Sequence, residues 1–218
     1  MVYRRTEKTV RRLAQRHGAI IAAARASAAE GGMAAVQVAP VAARAGIAAG
    51  TVYRYFPSKT DLVAALVAAV SEHEIGTLQR AAEAAPGPLS ALAAAIATFA
   101  SRAMAQRRLA WAVIGEPVDA EADGVRLAYR KALAAEIEAR LARAIREGNL
   151  PEQDAHRSAA AAVGALLEGL IGPLAADAGN DPAHGRDAVQ ALTLLALRAF
   201  GVPDPRARGL VVQIALPD

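Results

Sequence analysis

The residue types from which catalytic and metal sites are built are sparse and scattered in this chain of 218 residues. Its four histidines, His17, His73, His156 and His184, share no metal-ligand spacing. The absence of cysteine removes disulfides, thiolate zinc sites and cysteine nucleophiles, and fits a reducing compartment. There is no glycine-rich phosphate loop, nucleophile elbow or HExxH helix, and carboxylates such as Glu136 and Glu138 stand where a solvated helix face needs charge. The reading is of a protein that is not an enzyme and needs neither metal nor cofactor. What the sequence does concentrate is positive charge. From Met1 to Lys59, Arg4, Arg5, Lys8, Arg11, Arg12, Arg16, Arg25, Arg44, Arg54 and Lys59 face only Glu7 and Glu30, a balance of +8 in a chain whose total is +4. A basic front on a mildly acidic body is the electrostatic footprint of a nucleic-acid-binding module joined to a part with another partner. The bland alternative is a solvated basic tail.

The elements that must carry this charge are helical. The hydrophobic fraction of 54% is swollen by alanine, a strong helix former that buries little surface, while aromatics supply only 4%. Periodicity and stop signals predict a first helix from about Thr9 to Glu30, with Leu13, His17, Ile20, Ile21 and Ala24 on its inner face and Gly31-Gly32 ending it. A second helix is expected from Gln37 to Ala45, with Pro40 in its first turn, and a third from Ala48 to Tyr55. Ser58 and Asp61 read as the cap of a fourth, running to about Arg80 with Leu62, Leu66, Val67 and Val70 on one stripe. Ala85-Pro86-Gly87-Pro88 is the clearest break. Beyond it, helices are predicted at Leu89 to Gln106, Arg108 to Gly115, Asp119 to Glu147, Pro151 to Ala176 and Arg186 to Phe200, with the tail after Gly201 irregular. No period-two alternation is sustained, and only Leu210 to Ile214 could pass for a strand. The longest clear apolar stretch, Leu62 to Val70, is too short for a bilayer span, and Met1 to Ile20 lacks the pattern of a secretory signal, so a soluble, cytoplasmic protein without membrane contact is expected.

Within the basic front the spacing of Gln37 to Phe56 is the most specific feature. Ala42 is small where a crossing helix must come close, Gly46 stands where a turn needs a left-handed backbone, and Val52 anchors a second helix, with Val41, Ala45 and Ile47 filling the space between. This is the pattern of a helix-turn-helix.

The segment Gly46-Ile47-Ala48-Ala49-Gly50-Thr51-Val52-Tyr53-Arg54-Tyr55-Phe56-Pro57-Ser58-Lys59 resembles the DNA-binding domain of the tetracycline-repressor (TetR) family, over about Gly18 to Val67. The resemblance implies that the helix opening at Ala48, Ala49 and Gly50 enters the major groove and that Tyr53, Tyr55 and Lys59 reach phosphates. Arg54 belongs to the same surface. The family usually places threonine or serine where this chain has Gln37, and often a polar residue where it has Ala48 and Ala49. Thr51 or Arg44 would then carry more of the base contact, with apolar contacts to thymine methyls. Arg4, Arg5 and Lys8 form either a flexible minor-groove arm or a solvated tail.

The resemblance also implies an all-α architecture. Residues 1–57 would hold the arm and the three-helix DNA-binding domain, and residues 58–218 a helical effector-binding and dimerisation domain joined to it by the fourth helix. A ligand cavity is expected among the helices from Ser58 to Glu147, with His73, Phe99, Met104, Trp111 and Tyr129 as candidate lining. Any one of these is more often core than pocket lining. The small-residue stripe Ala161, Ala165 and Gly169, with Leu192 and Leu195 on an all-round apolar helix, reads as a homodimer interface. Glu168 either meets a polar ligand group or faces solvent at its edge. The function expected is a sequence-specific transcription regulator on a palindromic double-stranded operator, a repressor released by a small hydrophobic or amphipathic effector. The alternatives are a ligand-dependent activator and, in another class, a helical protein-interaction module without DNA.

Overall fold

The computed structural model of the chain describes residues 7–117, 120–175 and 182–214, and every regular element among them is helical. Helix α1 (Glu7–Gly31) ends where Gly32 takes a φ of 71°, a conformation that favours glycine. A 3-10 turn (Met33–Ala35) leads to α2 (Val38–Arg44), which admits Pro40 because it lies in the first turn. Gly46, at φ 65°, then turns the chain into α3 (Ala49–Tyr53), and the Ile47 amide closes the turn by donating to the Ala42 carbonyl at 3.0 Å. Val41, Ala42, Val52 and Phe56 are buried against Ile20, Ala24 and Ala28 of α1, so the three helices share one small core.

Helix α4 (Lys59–Glu83) starts on a capping box: Asp61 N–H donates to Ser58 Oγ at 3.0 Å, and Ser58 N–H donates to Asp61 Oδ2 at 2.9 Å. Its 25 residues span about 37 Å. One end packs on α1, and its buried stripe continues through Leu66, Val70 and Leu78 into the body. The body is built around α5 (Pro88–Ala105), which touches α4, α6 (Arg107–Ile114), α7 (Ala120–Arg146), α8 (Ala155–Leu170), α9 (Pro182–Ala199) and α10 (Asp204–Gln213). This helix, rather than Leu62 to Val70, is the longest apolar element. By length and composition it could cross a membrane, but most of it is buried inside the fold, as a core helix must be.

Two expectations need correction. The helix expected from Pro151 to Ala176 covers only Ala155–Leu170. Asp154 caps it by accepting the Arg157 N–H at 3.0 Å, and Gly172-Pro173 stops it, because a residue before proline disfavours the helical backbone. Within the tail after Gly201, expected to be irregular, Asp204–Gln213 form α10, which has proline in its first turn and buries Ala207 and Leu210. Its Asp204 is held by Arg198 and Arg208, whose hydrogen bonds keep the carboxyl below the usual range. Val211-Val212 looks strand-like in isolation, and contact with α9 and α5 overrides that propensity.

Removing the cap of the connecting helix by Ser58→Ala is expected to cost about 1 kcal/mol in urea unfolding. An unchanged midpoint would mean that packing alone sets where α4 begins.

Candidate nucleic-acid interface and effector cavity

Helix α3 is anchored by Val52, which is fully buried, and this turns the following residue outward. Tyr53 is 51% exposed, Arg54 and Lys59 are exposed beside it, and neither cation forms an ion pair with any described residue. Ala48 and Gly50 are exposed, whereas Ala49, Thr51 and Tyr55 are half-buried. The positions expected from Ala48 to Lys59 therefore lie along one short helix and the start of the next, with the donors uncovered. Two other sequence candidates are already engaged. Arg44 forks onto Glu30, with Nη1 to Oε1 at 2.8 Å, and this hydrogen bonding holds the Glu30 carboxyl below its ordinary range. Gln37 stands at the N-cap of α2 but its side chain makes no cap hydrogen bond, and its Nε2 donates to the Ala34 carbonyl at 2.9 Å. Arg4 and Arg5 lie outside the described residues, while Lys8 falls within α1, so the described part of the expected flexible arm is helical. His17, placed on the inner face by periodicity, is exposed but lies with its ring centroid 5.0 Å from that of Phe56 and 6.4 Å from that of Tyr55.

In the body, Phe99 and Tyr129 come together at a narrow cavity with Val70, Glu74, Arg102 and Gln106. Its free volume is about 20 Å³, room for roughly one water molecule. Arg102 donates to Glu74 from both Nε and Nη2, the latter at 2.8 Å, and that pairing raises the guanidinium pKa. Tyr129 is 4% exposed. Burial, reinforced by Glu74, pushes its pKa upward and keeps the phenol protonated. The other three candidates do not line this cavity. His73 is exposed, Met104 packs against the core, and Trp111 lies over Gly115. Sequence reasoning missed Glu74 and Arg102, because a carboxylate and a guanidinium 28 positions apart give no local signal of pairing.

A groove between α8 and α9 is lined by Ala161, Ala165, Leu192 and Leu195, the last 51% exposed. Gly169 permits the close approach behind it, since a Cβ there would lie 2.8 Å from Leu192 Cδ1. Glu168 accepts the Leu174 N–H at 2.8 Å, so its carboxylate secures the turn after α8.

Residues 20–66, which contain α2, α3 and the start of α4, match the family described as bacterial regulatory proteins, tetR family. The N-terminal region is a tetR-family domain. Among curated proteins none matches the chain in sequence. Solved structures match nearly all of it. RolR in complex with resorcinol has a TM-score of 0.68 at 22% identity, covering 96% of this chain and 98% of that one. FadR from Bacillus subtilis in complex with stearoyl-CoA gives 0.66 at 22%, covering 91% and 100%. A TetR-family transcriptional regulator from Pectobacterium atrosepticum gives 0.67 at 22%, covering 91% and 100%. At these identities the likeness establishes a shared fold, which extends through the body beyond the matched domain.

The tetR-family domain is fastened to that body by contacts the sequence did not reveal. Met33 N–H donates to Glu116 Oε2 at 2.9 Å, Glu116 also lies 3.5 Å from Arg108, and Arg25 donates to Gln106 at 2.9 Å. The Gln106 amide thus touches α1 and also borders the cavity. Their separations in sequence, 83 residues for Met33 and Glu116, put them out of reach of any local pattern. Glu116→Ala is expected to leave the Met33 amide without its acceptor, at a cost of about 1–3 kcal/mol. Amide exchange at Met33 should accelerate about fivefold or more, and unchanged protection would show that Glu116 does not hold this amide in solution.

Proposed function

We propose that this chain is a sequence-specific DNA-binding transcription regulator, a cytoplasmic homodimeric repressor released from a palindromic operator by a small hydrophobic or amphipathic ligand. The observation that carries the DNA-binding reading is the uncovered set Tyr53, Arg54 and Lys59 on a tetR-family helix-turn-helix, where neither cation pairs with a described carboxylate. In this reading α3 lies in the major groove, Thr51 with Ala48, Ala49 and Gly50 approaches base edges, and Tyr53, Tyr55 and Lys59 hold phosphates. The exposed apolar groove of α8 and α9 supports dimerisation, since an apolar surface bordered by small residues favours close helix contact with a second copy. Two recognition helices then meet half-sites about 34 Å apart.

The cavity supports ligand control. RolR and FadR were solved with resorcinol and stearoyl-CoA, ligands of very different size. Here the free space holds about one water, so any larger ligand must part the helices that line it. One of those is α4, which is joined to α3 by the five residues 54–58. Binding that displaces α4 changes the separation of the recognition helices, and it does so only to the extent that the ligand prefers the displaced state. A preference of about 2.7 kcal/mol per dimer weakens DNA binding about a hundredfold.

Three outcomes test this reading. Lys59→Ala and Tyr53→Ala should weaken binding to every duplex alike, whereas Thr51→Ala should reorder preference within a selected pool. Identical selected sequences for wild type and Thr51→Ala would remove that residue from base reading. Leu195→Arg should convert a dimer to monomer in sedimentation at micromolar concentration, and a wild type already monomeric there would contradict the assembly. A ligand found by thermal shift should bind free protein more tightly than the DNA complex by the factor with which it weakens DNA binding. A cavity ligand that leaves DNA affinity unchanged would break the proposed linkage.

A further inference from the structure

The tetR-family match begins at residue 20, yet α1 begins at Glu7, so about three turns of helix precede the matched domain. Residues 9–12 and 14–19 of this extension are exposed, and Leu13 is partly covered. The extension is nevertheless held against the recognition element. Leu13 and His17, four residues apart, face the end of α3, where the His17 ring meets Tyr55 and Phe56. Arg12 and Arg16 form the neighbouring stripe. Together with Thr9, Leu13, Arg54 and Tyr55 they line a groove between the extension and the residues just after α3.

The groove's charge is unusual for this protein. Arg44, Arg102, Arg140, Arg143, Arg198 and Arg208 each lie against a carboxylate. Arg12, Arg16 and Arg54 converge on one groove that has no acidic residue in its lining and form no ion pair with any described residue. Three guanidinium groups sharing a concave surface repel one another unless an anion lies between them, and their planar donors suit phosphate oxygens. Thr9 to Arg16 covers about 10 Å of helix axis, a length over which one DNA strand presents about three phosphates.

We infer that the N-terminal extension of α1 is a second DNA-backbone site: Arg12 and Arg16, which precede the matched domain, act with Arg54 to grip the phosphodiester strand of the duplex that α3 reads. This rests on the DNA-binding reading above and adds a rigid helical contact to it. The contact positions the protein on DNA and carries no sequence information.

Because phosphate contacts do not depend on sequence, no operator is needed for the test. Binding of the full-length protein to a labelled random-sequence 30-base-pair duplex is followed by fluorescence anisotropy from 50 to 200 mM KCl. Removing one cation from a phosphate lowers the slope of log K against log salt by about 0.9. Arg12→Gln with Arg16→Gln is therefore expected to reduce the slope by about 1.8, so that its affinity falls about twelvefold less than wild type across this range. Lys59→Ala reduces it by about 0.9, and Arg12→Lys with Arg16→Lys largely restores it. Arg146→Gln with Arg206→Gln removes the same charge from exposed sites on α7 and α10 and is expected to leave the slope unchanged. Circular dichroism checks that α1 stays helical. An unchanged slope in the Arg12 and Arg16 variant, while Lys59→Ala lowers it, overturns the second site and spares the DNA reading. An equal fall in the Arg146 and Arg206 control reduces the effect to net charge and likewise overturns it. Absence of salt-dependent binding by wild type overturns both.

Discussion

The placement of the DNA-binding domain depends on one close approach between the end of α1 and the end of α6. The chain leaves α1 through Gly32 at φ 71°, and a Cβ there would crowd both the Arg108 guanidinium and the Glu116 carboxylate. The positive φ makes any other residue strained, and the tight contact lets Glu116 accept the Met33 amide. A carboxylate bonded to a backbone amide fixes direction as well as distance, because it satisfies one of the donors that a helical turn leaves open. With α4 packed on α1 as well, the three-helix unit is attached to the body by a continuous helix, by this carboxylate contact and by the Arg25–Gln106 hydrogen bond.

Helix α6 joins that junction to the interior. Leu109, Ala110 and Val113 line the cavity, while Arg108 and the Glu116 that follows the helix meet the end of α1. A helix this short cannot shift one side without the other, since its backbone hydrogen bonds keep eight residues as one body. The cavity's polar wall is the Glu74–Arg102 pair between α4 and α5, with Tyr129 from α7 protonated beside it. Three long helices thus contribute one polar group each to a space that is otherwise mostly apolar.

Charge is distributed along the same division. In the body the arginines mostly meet carboxylates, several at the four-residue spacing of a helix face, such as Arg140 with Glu136 and Arg143 with Glu147. At the front the basic residues outnumber the acids so heavily that most have no available partner. Arg44 takes Glu30 and Arg25 donates to Gln106, while Arg12, Arg16, Arg54 and Lys59 pair with no carboxylate among the described residues. Arg12, Arg16, Arg54 and Lys59 thus leave uncovered positive charge beside α3.

What the sequence by itself determined was local. Gly46 needed a positive φ, Ser58 with Asp61 made a capping box, and the spacing of Ala42, Gly46 and Val52 defined a helix-turn-helix, because each signal lies within one or two turns of helix. Phe99 and Tyr129 were cavity candidates only through the family resemblance, alongside His73, Met104 and Trp111, and only the packing separated them. The tertiary structure alone decided that Arg44 pairs with Glu30, that Arg102 pairs with Glu74, that Glu116 holds Met33, and that Asp204–Gln213 form a helix. The physical reason is the same in each case. Helix propensity, caps and turns act between near neighbours, whereas the partner of a charged side chain or an apolar face is set by elements up to 83 residues away, and only burial brings them together.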